Sequence, residues 1–551
     1  MKIDLRKEGR LTVDQSRKIN EIEPQVRYEF DQYIGKLASE NSLNGIDWFL
    51  ETTCRNTFAS DLHNRFCQIA LISELIESGE GIDEILLDDK CMKSAVSGFL
   101  ENNDLKTKIT QQGRSSRIIK SIKNFCKSFY LILNHIIWPK VIRRKQRPIG
   151  EIVFLENFLF IDSFDERNRL IDRNYPGFFE YYDQKKRGEV WYLSVINGLK
   201  HPGQWISLLR AISKSDEQIV IMEDYLYLKD YLDAFLASFL LPMKIKNIPK
   251  WRGIDVSEIV FDEARREIGG YSLIINILYF KSFARIKEAG INPKLIIDWH
   301  ENQTIDRALN LGMSKNFPQA LRKGYQGFLV SDFYSSLTPT VYERDNNLLP
   351  NEIFVISEKL INRRKKYSNE FVIRLAPAFR YQRAMNFSNL NKNYPKDILV
   401  ALPMLFSEAN QLLELVLDSQ MSKETKIIVK KHPTITKHEL LANVVLAKDE
   451  RLNFTDDDLT DLFHESILFV TMTSSAAIEA VSCQTYVAII ANRNNATANP
   501  LEHIVEPNYW RLCYTPNCID LAYKHAKVNS VSNKTNYLVP LSERTFAEFI
   551  N

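Results

Sequence analysis

The chain has 551 residues, a formal net charge of +3, 45% hydrophobic and 26% charged residues. Those proportions exclude an intrinsically disordered protein, and the length calls for two or more domains. The small net charge does not by itself imply nucleic-acid binding, and no apolar run reaches the roughly eighteen residues of a membrane span.

Residues 1–44 read as a charged, helical lead-in. Met1 to Glu8 alternate charge with apolar residues, which is not the pattern of a signal peptide. Seven cysteines are scattered without a Cys-x-x-Cys pair, a usage that fits thiols in a reducing compartment. A cytoplasmic protein is expected.

Gly45 to Thr53 is the first predicted strand, ending in Cys54-Arg55-Asn56-Thr57. An Arg at a strand end matches a carboxylate through two parallel hydrogen bonds, so Arg55 and Asn56 are candidates for a donor or acceptor carboxylate. Arg55 equally fits the tying of a loop to a neighbouring carbonyl. A helix over 62–78, a strand over 84–88 and a helix over 90–100 give the strand–helix–strand rhythm of a parallel sheet.

From Leu105 to Gly150 there is no Asp or Glu but twelve Lys or Arg, around the apolar run Phe129 to Trp138 closed by Pro139. Basic flanks about an apolar, aromatic centre predict an insertion over 105–150 lying on an anionic membrane surface, with Lys127, Trp138, Arg143, Arg144 and Lys145 as contacts. Packing on the protein's own core and nucleic-acid binding are the rival readings; no recognisable nucleic-acid motif accompanies the segment.

The rhythm resumes with predicted strands at 151–160, 189–195, 218–223 and 294–298, and Phe328 to Ser331 closes a first domain over 45–349. Asp298-Trp299-His300-Glu301 follows directly on an apolar strand, at a carboxyl end where a ligand of an α/β sheet sits. A group-transfer reaction to a hydroxyl needs a proton acceptor there, and the order of preference is Glu301, then Asp298, then His300. The same residues also fit a helix start, with Asp298 as N-cap and Glu301 three residues on.

A second domain over 350–551 is predicted to open with a strand at Ile353 to Ile356, followed by strands at 397–402, 426–430, 444–446, 467–471 and 485–490. Arg380, near its start, is a candidate for a phosphate. The strand ending in Lys431-His432-Pro433 and, about forty residues later, the one ending in Thr473-Ser474-Ser475 place two polar clusters at carboxyl ends. Free N–H groups at the start of the helix from Ser474 favour an anion, with Lys431 and His432 opposite. Glu479, inside that helix, is a candidate for ribose hydroxyls, or a surface Glu. Asp456-Asp457-Asp458 precedes a helix and reads as a cap, not as a metal site.

The Lys431-His432-Pro433 and Ser474-Ser475 pair resembles the donor half of GT-B glycosyltransferases of bacterial capsule and lipopolysaccharide assembly. The resemblance is nearest to the sialyltransferase-like transferases that use CMP-activated Kdo, sialic, pseudaminic or legionaminic acid. It implies an α/β fold of two Rossmann-like, doubly wound domains facing across a cleft, and CMP held by the His432-Pro433 and Ser474-Ser475 motifs, beside which Lys431, Thr473, Glu479 and Arg380 are the further donor-site candidates. It also implies an acidic motif supplying the catalytic base in the first domain; the chain departs there from the family's acidic-acidic-Gly form. Transfer of an ulosonic acid to a glycan or lipid-linked acceptor at the inner membrane surface follows, with no metal or other cofactor. A UDP-sugar or CDP-glycerol-type transferase and a non-catalytic assembly protein are the alternatives.

Overall fold

The protein is described by a computed structural model covering residues 1–111, 117–143, 146, 148–386, 397–528 and 537–551, without the side chains of 117–123. Arg144 and Lys145 lie outside the described residues.

Three sheets, parallel throughout, organise the chain. A small one joins β1 (Lys2–Asp4), β2 (Glu84–Leu87) and β3 (Lys108–Gln111) in that order. The first large sheet takes β4 (Ile152–Leu159), β5 (Val190–Ile196), β6 (Ile219–Ile221), β7 (Pro293–Trp299), β8 (Leu321–Gln326), β9 (Glu352–Val355) and β10 (Ile373–Leu375). Their spatial order is β10-β9-β8-β7-β4-β5-β6. The second takes β11 (Asp397–Ala401), β12 (Ile427–Lys430), β13 (Leu452–Thr455), β14 (Ser466–Thr471), β15 (Tyr486–Ile490) and β16 (Trp510–Cys513), in the order β13-β12-β11-β14-β15-β16. Central strands such as β5 and β15 are buried along their whole length, as helices on both faces of a parallel sheet require. Two doubly wound α/β domains of this kind are the architecture implied by the resemblance to GT-B enzymes.

Four expectations shift. Gly45 to Thr53 forms two 3₁₀ turns, Gly45–Phe49 and Glu51–Thr53, not a strand. Asp47 accepts the N–H of Asn44 at 3.1 Å and the Thr53 hydroxyl bonds back to the Leu50 carbonyl at 2.8 Å, so local side-chain bonds displace the ladder. The strand expected at 328–331 is β8, several residues earlier. Its Leu-Arg-Lys-Gly-Tyr-Gln sequence hides it, because Arg322 donates to the Asn310 and Leu349 carbonyls and Lys323 to those of Phe549 and Ile550. The strand expected to open the second domain, β9, instead pairs with β8 and is followed by β10, so the crossing comes between Leu375 and Asp397. At the far edge, 444–446 belongs to a 3₁₀ turn and the edge strand is β13.

Two segments stitch the halves together. The lead-in is chiefly one helix, Val13–Glu40, opened by a Thr12–Gln15 capping box. Its first turns touch the second domain: the Ser16 hydroxyl donates to the Asn492 carbonyl at 2.7 Å, and Asn20 accepts the N–H of Thr497 at 2.6 Å. Its later turns meet the first domain through Asp31. At the other end, Val539 shares backbone hydrogen bonds with Ile356 and Ala378, and the helix Glu543–Ile550 buries Phe546 and Phe549 against the first domain. Lys323, buried in β8, reaches the last carbonyls of that helix, the groups a helix leaves without partners.

Candidate active site at the switch points of the two sheets

The strand order reverses between β4 and β7 in the first sheet and between β11 and β14 in the second. Ligands of doubly wound sheets bind beyond the carboxyl ends at such a reversal. At the first reversal a pocket of ≈ 290 Å³ is lined by Asn157 and Phe160 at the end of β4, Trp299 and Glu301 at the end of β7, Asp172, Asn174 and Asn197 from neighbouring loops, and Gln303 and Asp306. Aromatic faces beside amides and carboxyls are the lining a hydroxyl-rich ligand needs.

Glu301 is the catalytic candidate that reaches this pocket. The Trp299 indole N–H donates to its Oε1 at 2.9 Å, and the Gln303 amide donates to Oε2. Burial raises its carboxyl above the ordinary range, and these two donors together with the charge of Arg380 restrain the rise. Asp298 and His300 are buried behind it. Asp298 takes the Asn310 amide at 3.0 Å and lies 3.4 Å from His300 Nδ1. Burial depresses the imidazole, but Asp298 and the other nearby carboxylates outweigh it and leave His300 raised. Gly324 on β8 is where His300 packs; a Cβ there would stand 2.9 Å from the ring. The helix after β7 is Thr304–Asn316, capped by Gln303 and Asp306, so the cap is not Asp298 with Glu301. Asp306 accepts the N–H groups of Glu301 and Gln303, both at 2.9 Å, and burial pushes its carboxyl up to about 7.

At the second reversal, Lys431-His432-Pro433 and Thr473-Ser474-Ser475 end β12 and β14, the two neighbours of β11. Two strand spacings, roughly 10 Å, separate the clusters. Lys431 lies 3.3 Å from Asp456, and the His432 Nδ1 is 2.7 Å from the Thr434 hydroxyl. Burial lowers the His432 imidazole. Pro433 is exposed. The helix begins at Ala476, with Ser475 as N-cap and the Ser474 hydroxyl accepting the Ala476 N–H at 3.2 Å. Thr473 stands at the mouth of that turn, half-buried. Burial pushes Glu479, in the first turns of this helix, up to about 7 against the pull of Arg380.

Arg380 joins the two ends. It lies exposed on the crossing between the sheets, its guanidinium over the Trp299 ring at 5.5 Å from the centroid, with its charge acting on both Glu301 and Glu479. The adjacent Tyr381 hydroxyl is within hydrogen-bond reach of Ser475 and of the Leu329 N–H. The one guanidinium of Arg380 thus acts on a carboxyl at each of the two reversals, Glu301 and Glu479.

Other expected site residues stand elsewhere. Arg55 is fully buried, pairing with Asp31 at 3.1 Å and Glu343 at 2.8 Å and donating to the Ser335 and Thr338 carbonyls at 2.8 and 2.7 Å. No donor is left for a ligand carboxylate, and its role is to tie loops together. Asn56 accepts the Phe58 N–H at 2.9 Å in a tight turn. Arg143 is buried too, bonded to the Ile219 carbonyl and 3.2 Å from Asp224, which pins the helix Arg117–Ile142 to β6. The Trp138 indole donates to Asn134 at 2.8 Å and packs on the core, whereas Lys127 is exposed. Of these expected membrane contacts only Lys127 faces outward among the described residues. Asp458 does cap its helix, accepting the Thr460 N–H at 2.8 Å.

Trp299 as the seat for Arg380, and Asp306, Asp172 and Tyr381 beside it, are site residues that the sequence pattern does not announce. Only Asp306 carried a usable signal, three residues after Gln303 at a helix start.

No protein-family model matches the chain, and no curated protein matches it. Among solved structures, it is similar to the calicheamicin glycosyltransferase CalG4 (10% identity, 73% of this chain and 95% of that one, TM-score 0.37). It is also similar to a UDP-N-acetylglucosamine 2-epimerase (12%, 73% and 95%, 0.39). A third is MurG of Acinetobacter baumannii (8%, 73% and 94%, 0.36).

Proposed function

We propose that the protein is a glycosyltransferase that moves an ulosonic acid from a CMP-activated donor to a hydroxyl of a glycan acceptor at a membrane surface. The observation that carries this reading is Arg380, an exposed cation held between a raised carboxyl at the first switch point, Glu301, and the Ser475–Glu479 helix start at the second. The acceptor sugar occupies the pocket beside Trp299, with its hydroxyl toward Glu301. The CMP moiety lies across the ends of β12 and β14, its phosphate near Arg380, Lys431 and the Ser475 helix start.

In the transfer, the acceptor oxygen forms a bond to the anomeric carbon as the bond from that carbon to the phosphate oxygen breaks. Ionised Glu301 takes the hydroxyl proton, and CMP leaves with the electron pair. Arg380 and Lys431 meet the growing charge on the leaving phosphate, so the reading needs no metal ion. Glu479 accepts from the ribose hydroxyls.

The test is thermal shift and calorimetry with CMP, UDP and CDP-glycerol, followed by CMP release from CMP-Kdo and CMP-sialic acid with a glycan acceptor. Stabilisation by CMP and acceptor-dependent CMP release are expected. A response to UDP or CDP-glycerol alone assigns a different donor, and no response to any nucleotide favours a non-catalytic assembly protein.

A further inference from the structure

The helix Leu228–Leu240 is built inside out. Its buried side holds Asp230, Tyr231, Ala234 and Ser238, with Asp230 bonded by Arg285 through two contacts of 2.9 Å. Its outward side carries Leu228, Leu232, Leu236 and Leu240 at strict four-residue spacing, 56, 58, 62 and 63% exposed. A helix on a soluble surface has the opposite distribution, and a continuous exposed leucine stripe marks a face that another apolar medium covers.

The stripe does not stand alone. Phe235 and Phe239 form an aromatic seam with Phe125 of the neighbouring helix Arg117–Ile142, at centroid distances of 5.7 and 5.9 Å, and Phe129 stands 6.1 Å from Phe235. Beyond the seam that helix exposes Ile137 and Val141, and the turn after the leucine helix exposes Met243. The rim is cationic: Lys127, Lys140, Lys229 and Lys246 are exposed, and no acid occurs between Leu105 and Gly150. The acids of the leucine helix are engaged, Asp230 by Arg285 and Asp233 by Lys281 at 2.9 Å.

We infer that the paired helices 117–142 and 228–240 form a platform that inserts its leucine stripe into the headgroup region of an anionic lipid bilayer. The charge argues for lipid over a second copy of the chain. A two-fold contact through this patch would set the same lysine rim against itself. An anionic leaflet meets both the apolar stripe and the rim. No helix among the described residues is long and apolar enough to cross a membrane, so the contact is one of lying in the surface. This deepens the membrane part of the proposed function and moves its seat from Trp138 and Arg143 to the leucine helix.

The experiment is flotation of the full chain with vesicles of phosphatidylcholine and phosphatidylglycerol, against phosphatidylcholine alone, at low and raised salt. The wild type should float with the anionic vesicles, and raised salt should release it only in part because the leucines stay inserted. Leu236→Glu with Leu240→Glu should lower vesicle partition at least about tenfold while the thermal midpoint holds. Leu236→Ser with Leu240→Ser should weaken it without adding negative charge. Equal flotation of wild type and both variants would overturn the leucine helix as the seat and leave the membrane reading standing. Flotation of nothing would overturn both, with glycosyl transfer judged separately by the nucleotide assays. A dimer in sedimentation velocity that the variants split, without lipid binding, would assign the face to a second copy.

Discussion

The guanidinium of Arg380 lies over the indole of Trp299, and the same indole donates its N–H to Glu301. One ring thus positions a cation and a proton acceptor at the same edge of the cleft. Arg380→Ala should weaken CMP binding by about 1.5–3 kcal/mol, the worth of a hydrogen bond to a charged group, in calorimetry. Arg380→Lys should recover part of that loss, since an ammonium keeps the charge but not the flat stack. Equal affinities for all three proteins would remove Arg380 from the phosphate site.

Glu301 must be ionised to act, and burial raises its carboxyl. The rate should therefore climb with pH through a limb lying above the ordinary carboxylate range. Glu301→Gln should flatten that limb and lower turnover by about 10²–10⁴-fold while CMP affinity survives. A variant with normal turnover moves the base elsewhere.

Stability should run the other way over the same range. Asp306 and Glu479 are both raised to about 7, so their protonated forms suit the fold. Their contribution is complete below the ordinary carboxylate pKa and is lost as pH rises through about 7. Glu479→Gln should accordingly lift the thermal midpoint at pH 8 relative to wild type and leave it little changed at pH 4. An identical difference at both values would contradict the assignment.

At the second switch point, His432→Ala and Ser475→Ala should each weaken CMP binding by about 1.5–3 kcal/mol without altering the fold, as measured by calorimetry and circular dichroism. Unchanged affinity in both variants would sink the donor assignment.

Glu343 gives a test of pure architecture. It is buried between Arg55 and Arg307, each 2.8 Å away, and although burial pushes its carboxyl up, the two guanidiniums hold it below the ordinary range. A depressed carboxyl contributes stability above its unfolded pKa and loses it as pH falls through the folded value. Glu343→Gln takes from buried Arg307 its only carboxylate among the described residues and leaves Arg55 with Asp31 alone, and it should cost about 3–5 kcal/mol in denaturant unfolding at pH 7, with the gap closing in acid.

The sequence made legible whatever depends on strand hydrophobicity: β4, β5, β7, β11, β12, β14 and β15 are mostly apolar, and the residues at their ends follow from them. It concealed β8, whose Arg322 and Lys323 look solvated but spend their charges on buried carbonyls. It could not reveal that Arg55 and Arg143 point inward, because an Arg paired across 288 residues leaves no local trace. The leucine stripe escaped notice for a related reason. Its four-residue spacing resembles a buried helix face, and only the burial of Asp230 and Ser238 on the opposite side shows which way the helix is turned.

Lys323 and the carbonyl of Phe549 are 226 residues apart in sequence. A ribosome delivers β8 long before the helix that covers its lysine, and Ser16 of the helix Val13–Glu40 waits 476 residues, more than twice as long, for the loop at Asn492 and Thr497 that receives it. Neither half of the nascent chain reaches its final packing while the other is still being made. The contacts that close the halves on one another are consequently the last to become available, and a chain stalled before them would leave apolar surface of its finished part uncovered, the kind of species on which chaperones act.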